Sequence, residues 1–202
     1  MKMEEIDLIE RIIRHGLASL SEALYYYWPS AGKRNELPER NISTYVASSF
    51  IEKEFIVFTE ANFPRDALRR IDFVAIDLHK DIMVVGESKK LHYPSDAEKM
   101  LGDIKRISKF KLSDEHEKPP DIKSTFGLLL ATTWDENIFK WWESEDHSGK
   151  PTKGEKSDSW KELGEELDRP NVRCGSYLLG YDDKDKKYHT HKGLYALFPV
   201  NH

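Results

Sequence analysis

The sequence predicts an α/β sandwich, with helices flanking a central mixed sheet. Three observations lead there. Apolar residues recur at helical spacing through the first part of the chain. Three stretches, 55–58, 71–78 and 82–89, then change to strand character. Behind them helical and strand-like segments alternate. One of these, Thr125-Phe126-Gly127-Leu128-Leu129-Leu130-Ala131-Thr132, is so nearly apolar that it reads as a central strand covered on both faces.

The elements follow in order. Ile6, Ile9, Ile12, Ile13, Leu17, Leu20 and Leu24 predict an amphipathic helix over residues 4–28, stopped by Pro29. A loop with Gly32 precedes a second helix over 41–54, with Ile42, Tyr45, Val46, Ser49 and Phe50 inward. After the three strands, Ser95-Asp96-Ala97-Glu98 has capping-box spacing. The helix behind it carries Ala97, Met100, Leu101, Ile104 and Ile107 inward and Lys99, Lys105, Arg106 and Lys109 outward. Residues 111–121, with Pro119-Pro120, read as a loop, 135–143 and 159–167 as helices, and 145–157 as a loop between them. The last strands are expected at 177–181 and 193–200, around a hydrated turn at 182–187. No internal repeat is visible.

A chain of 202 residues suits one domain, with a core over 39–142, an N-terminal helix within 1–38 and a C-terminal elaboration over 145–202. The 33% charged and 11% aromatic content is that of a globular protein rather than a disordered one. No run approaches the ~18 apolar residues of a membrane helix, and the N-terminal residues lack the apolar core of a signal peptide. Cys174 stands alone, which excludes an intramolecular disulfide and fits a reducing, cytoplasmic setting. A net charge of −5 argues against a surface basic all over, yet residues 65–109 hold ten Lys or Arg against eight Asp or Glu.

The chemically pointed residues lie on two neighbouring strands. Asp72 opens Asp72-Phe73-Val74-Ala75-Ile76, and Glu87-Ser88-Lys89 closes Ile82-Met83-Val84-Val85-Gly86. Side chains alternate along a strand, so an even-numbered turn between the two puts Asp72, Glu87 and Lys89 on one face. With a Lys80-Asp81 turn, or a loop over 79–82, Asp72 faces Lys89 and Val74 faces Glu87. A three-residue turn would send Asp72 to the other face. Two nearby carboxylates attract a hard divalent cation such as Mg²⁺ or Mn²⁺, and a lysine beside them can hold or deprotonate a water and offset phosphate charge. The plainer alternative is a hairpin whose polar ends have reached solvent, with Glu87 and Lys89 a surface pair of little energetic consequence.

Asp72, fourteen intervening residues, and Glu87-Ser88-Lys89 resemble the PD-(D/E)xK superfamily, the restriction-endonuclease-like nucleases. Ile71 stands where the named pattern has Pro. The resemblance implies a helix, a three-stranded meander bearing the motif, a helix, a further strand and a second helix over residues 39–142. It implies Asp72 and Glu87 as metal ligands, the Ser88 carbonyl as a further ligand and Lys89 as the catalytic lysine. It also implies an acid from the first core helix, for which Glu39 is the candidate, with Glu52 and Glu60 as alternatives. Such enzymes often act as dimers, because two cuts need two sites.

Arg65, Arg69 and Arg70 before the motif, and Lys90, Lys99, Lys105, Arg106 and Lys109 after it, are candidates to contact backbone phosphates; a solvated face is the alternative reading of the helical ones. Asp103 is accounted for by pairing with Lys99 and Arg106 along the helix. His189 and His191 share a strand face without a third ligand nearby and read as surface residues. Trp134, Trp141 and Trp142 read as core packing rather than base-stacking platforms. There is no Gly-rich phosphate loop, nucleophile elbow or His-Glu-x-x-His motif. The expected function is a Mg²⁺-dependent endodeoxyribonuclease acting on DNA. The alternatives are a non-catalytic module of the same fold that binds nucleic acid or a protein partner, and an RNA-processing or small-molecule hydrolase.

Overall fold

Helical periodicity in the first part of the chain produces two helices packed on one face of a sheet, and the strand-forming stretches that follow build that sheet. The computed structural model describes residues 3–27, 37–63, 66–112, 120–180 and 191–200. Along the chain these form α1 (Met3–Tyr26), α2 (Glu39–Glu52), β1 (Ile56–Phe63), β2 (Asp66–Asp77), β3 (Ile82–Lys90), α3 (Pro94–Ile107), β4 (Ser124–Thr133), α4 (Glu136–Trp142), α5 (Ser159–Leu167), β5 (Arg173–Gly180) and β6 (His191–Val200). The six strands lie in the order β1-β2-β3-β4-β6-β5. β3 and β4 run parallel with α3 as their crossover, and the other neighbours are antiparallel, so the sheet is mixed.

Each face of the sheet has its own core. Ile9, Ile13 and Leu17 of α1 and Ile42, Val46 and Phe50 of α2 pack on Phe73, Ala75, Val84, Phe126 and Leu128. On the other face, Met100 and Ile104 of α3, Trp141 and Trp142 of α4 and Trp160 of α5 pack on Val74, Met83, Val85, Leu129 and Ala131. β4 feeds both cores, which is why its sequence is apolar at successive positions. Burying each such side chain stabilises the fold by about 1.5–3 kcal/mol. Gly16 lets α1 and α2 touch, since a Cβ there would stand 2.7 Å from the Val46 Cα.

Several boundaries differ from expectation for local reasons. α2 begins at Glu39 rather than residue 41. β1 extends to Phe63, because the polar Thr59 and Asn62 still pair with β2 at the sheet edge. β5 begins at Arg173, its Cys174-Gly175-Ser176 segment held by pairing with β6. α3 is not capped through Ser95 and Glu98. Asp96 caps it instead, its carboxylate accepting from the backbone N–H groups of His92 (3.2 Å) and Tyr93 (3.1 Å).

The β2–β3 register is also displaced from expectation. Pairing runs from Asp77↔Ile82 to Phe73↔Gly86, so Val74 faces Val85 and not Glu87. The cause is Asp77, buried at the strand end, whose carboxylate accepts from the N–H groups of His79 (2.9 Å) and Lys80 (3.0 Å) and from Lys80 Nζ (2.7 Å). That clasp draws Leu78 into a loop over 78–81, closed by Asp81 at φ 57°. The loop is still even-numbered, and a shift of two residues keeps every side chain on its face. Among the described residues, no helix is long and apolar enough to cross a membrane.

Candidate active site

The paired part of β2 and β3 ends at Phe73 and Gly86. The glycine is required there, because a Cβ on it would stand 2.2 Å from the Phe73 ring. One step further along the same register, Asp72 lies across from Glu87. Its Oδ2 accepts two hydrogen bonds from Ser88, from the backbone N–H at 2.7 Å and from the hydroxyl at 2.6 Å. At the level of Asp72, β1 carries Glu60 in the left-handed region at φ 53°, between the pairs Thr59↔Phe73 and Ala61↔Ile71. The strand end that bears the motif is thus irregular on β1 and pinned by a side chain on β3.

Glu87 and Lys89 leave β3 on the α3 side, where they meet Asp103 and Arg106. Lys89 Nζ lies 3.0 Å from the Ser88 carbonyl, 3.3 Å from Asp103 Oδ2 and 3.7 Å from Glu87 Oε2. Arg106 Nη2 lies 2.9 Å from Glu87 Oε1 and also pairs with Asp103. Glu87 and Asp103 are each 2% exposed. Beside them opens a groove of about 530 Å³ lined by Lys89, Lys99, Gly102, Asp103, Lys105, Arg106 and Lys109.

The electrostatics follow from burying two carboxylates, Glu87 and Asp103, near the half-buried Asp72 and against two cations. Burial, then the charges of Asp103 and Asp72, push the Glu87 carboxyl up to about 8 despite Lys89 and Arg106. Burial also raises Asp103 above the usual carboxylate range, with Lys89 and Arg106 opposing. For Lys89 burial acts downward, but Asp103, Glu87 and Asp72 outweigh it and hold the amine above its ordinary value. Lys89 is therefore an ammonium here, suited to donating hydrogen bonds rather than to taking a proton.

Asp72, Ser88, Glu87 and Lys89 are thus brought together as the sequence suggested. Glu39 sits at the start of α2 within reach of the same strand end; its Oε1 accepts from the Lys90 N–H (3.0 Å), and its carbonyl accepts from the Ser88 hydroxyl (3.3 Å). Glu52 lies instead against His15 (2.9 Å), and Glu60 against Arg40 (3.5 Å) and Arg70 (3.7 Å). Among the described residues, no three His, Cys, Asp or Glu side chains stand where together they could enclose a cation. Asp72 is turned to Ser88, while Lys89 and Arg106 lie against the other two acids.

Of the proposed phosphate contacts, Lys99 lines the groove and pairs with Asp96 (3.1 Å), and Arg70 is exposed beside Glu60. Lys90 is half-buried at the end of β3. Arg106 does not belong with the outward-facing lysines, because it turns in to Glu87 and Asp103. Arg65, His189 and the Arg69 side chain lie outside the described residues. His191 is buried, 3% exposed and beside Trp134, rather than a surface residue. Trp141 and Trp142 are core, as expected, but Trp134 precedes α4 and stacks on His92 at 3.4 Å between ring centroids.

Asp103 is the residue that sequence reasoning missed. Its signal was positional: it lies three residues after Met100 and four before Ile107, inside the apolar stripe of α3. A charge on the buried arc of an amphipathic helix needs a partner across the interface, and pairing along the helix does not supply one. Comparison with protein-family models, with curated proteins and with solved structures finds no match for this chain.

Proposed function

We propose that the chain is a divalent-cation-dependent nuclease of restriction-endonuclease-like fold that hydrolyses phosphodiester bonds in DNA. The observation that carries this reading is the meeting of Asp72, Glu87 and Lys89 at one strand end, beside a groove edged by lysines. Keeping Glu87 and Lys89 largely buried at the end of an apolar strand is costly unless they have a task. The order of α2, the β1–β3 meander, α3, β4 and α4 agrees with the order expected of that fold.

The donor set fits a hard cation. Asp72, Glu87 and the Ser88 carbonyl offer only oxygen, which suits Mg²⁺ or Mn²⁺. Glu87 Oε1 is buried without an aligned hydrogen bond. When bound, such a cation polarises a phosphoryl oxygen and lowers the pKa of a bound water. The protein's own groups do the rest. Lys89 donates from Nζ to a non-bridging phosphate oxygen and offsets the charge that grows as water adds to phosphorus and the ester bond breaks. Ser88 keeps the Asp72 carboxylate in place. Lys99, Lys105 and Lys109 take backbone phosphates and set the register of the strand without reading bases. Incubating plasmid and single-stranded DNA with Mg²⁺ or Mn²⁺ tests the reading: wild type cleaves and Asp72→Asn does not.

One observation favours a second reading. Lys89 and Arg106 already lie against Glu87 and Asp103. A non-catalytic module would bind nucleic acid or a partner through the same groove, and would show salt-dependent binding with no divalent-dependent cleavage.

A further inference from the structure

Between Glu87 and Asp103 the polar groups are only partly aligned: Arg106 Nη2 donates a hydrogen bond to Asp103 Oδ1, and the rest meet by charge alone. Glu87 Oε1, Asp103 Oδ2 and Arg106 Nε are all buried without a hydrogen bond of good geometry. Arg106 nevertheless spans both acids, with Nη2 at 2.9 Å from Glu87 Oε1 and in contact with Asp103. A guanidinium built into a permanent ion pair commonly uses parallel, fork-like bonds to a carboxylate. Here it stands between two buried carboxylates, where a cation belongs, and leaves one donor and two acceptors unaligned.

The two cations of the cluster differ in freedom. Lys89 is 20% exposed, rooted on β3 and tied to the Ser88 carbonyl at 3.0 Å. Arg106 is 36% exposed and springs from the same helix as Lys99, Lys105 and Lys109, which edge the groove. Gly102, one turn earlier, would have no neighbour within 4 Å of a Cβ, so the groove is open beside it. Arg106 thus lines both the carboxylate cluster and the groove.

We propose that Asp103 is a cation-ligating carboxylate beside Glu87, and that Arg106 fills the cation's place until a phosphate of the nucleic acid draws its head into the groove. The inference rests on the nuclease reading in taking the incoming cation to be a hard divalent one. Arginine suits the exchange, because its planar fork matches a phosphate as well as a carboxylate. Substrate and cation then bind with positive coupling, each opening the site for the other.

Calorimetric titration of Mn²⁺ into the nucleic-acid-free protein tests this, with thermal melts to verify folding. Arg106→Gln binds Mn²⁺ at least about tenfold more tightly than wild type, since a unit charge a few ångströms from the cation is removed. Arg106→Lys stays close to wild type, and Asp103→Asn binds at least about tenfold more weakly. In wild type, Ca²⁺ tightens binding of a short labelled duplex measured by anisotropy, and it does so less in Arg106→Gln. Equal Mn²⁺ affinity in wild type, Arg106→Gln and Asp103→Asn overturns the proposal; if Glu87→Gln still abolishes Mn²⁺ binding, the nuclease reading survives that result. Mn²⁺ binding in none of the proteins overturns both. If Arg106→Gln does not fold, absence of Ca²⁺–duplex coupling in wild type overturns the proposal without it.

Discussion

Asp72 holds Ser88 by both its backbone N–H (2.7 Å) and its hydroxyl (2.6 Å), so the first acid of the motif is fastened to the residue between the other two members. Ser88→Ala removes the hydroxyl bond and leaves the backbone one. It lowers stability by about 0.5–1.5 kcal/mol in urea unfolding and, on the proposed nuclease reading, weakens cleavage by loosening Asp72. A variant with wild-type stability and wild-type cleavage contradicts the fastening role.

Glu87 separates a functional carboxylate from a structural ion pair. A buried pair broken from one side costs about 3–5 kcal/mol, because the partner charge is stranded. At Glu87, however, Asp103 and Asp72 repel the carboxylate and Arg106 retains Asp103 as a partner. Glu87→Gln therefore leaves the cation-free protein as stable as wild type or raises it by about 1 kcal/mol, while on the proposed reading cleavage is lost. Destabilisation by several kcal/mol would make Glu87 an anchor of the fold instead.

Asp77 sets the hairpin register and gives it a pH dependence. Burial alone would raise its pKa, but Lys80 Nζ and the N–H groups of Lys80 and His79 outweigh burial and lower it. A carboxylate with a depressed folded-state pKa contributes stability that is present above its unfolded value and lost as pH falls through the folded one. Asp77→Asn thus costs about 1–2 kcal/mol at neutral pH, and the difference from wild type closes below about pH 4. Denaturant melts of both proteins at neutral and acid pH measure it; a gap that persists in acid contradicts the assignment.

On the proposed nuclease reading, the lysines along α3 behave as phosphate-binding groups rather than base readers. Replacing Lys99, Lys105 and Lys109 with Gln lowers DNA affinity similarly for unrelated sequences. It also flattens the dependence of log affinity on log salt, by about 0.9 for each duplex phosphate no longer neutralised. Fluorescence anisotropy at several salt concentrations reads both effects. An unchanged slope would place the DNA elsewhere.

Much of the fold was legible because it is written in periodicity. The all-apolar run of β4 reads as a strand covered on both faces, and α5 begins and ends where its pattern does. The Asp72, Glu87 and Lys89 grouping was legible because strand alternation and an even loop fix which face each residue takes. The register itself was not, since Asp77 pulls Leu78 into the loop through hydrogen bonds that no apolar pattern encodes. Asp103 was hidden by its neighbours: the helix pairing with Arg106 does form and offers a local explanation, while Lys99 pairs with Asp96 instead, and the contact no helix pattern encodes is that of Lys89 from β3. His191 read as a surface residue from its polar surroundings, Tyr188-His189-Thr190-His191, yet β6 carries it inside beside Trp134.

On the proposed reading, Lys89 works on a phosphate beside a cation held by Asp72 and Glu87. The sharpest check is cleavage of supercoiled plasmid and single-stranded DNA by wild type and Lys89→Ala, each with Mg²⁺, with Mn²⁺ and with chelator. Wild type is expected to cleave only with a divalent cation and not with chelator. Lys89→Ala is expected to lose at least about a hundredfold in rate, in line with removing one transition-state donor. Wild type that cleaves neither substrate in either cation, or Lys89→Ala that cleaves as fast as wild type, would overturn the nuclease reading of the site.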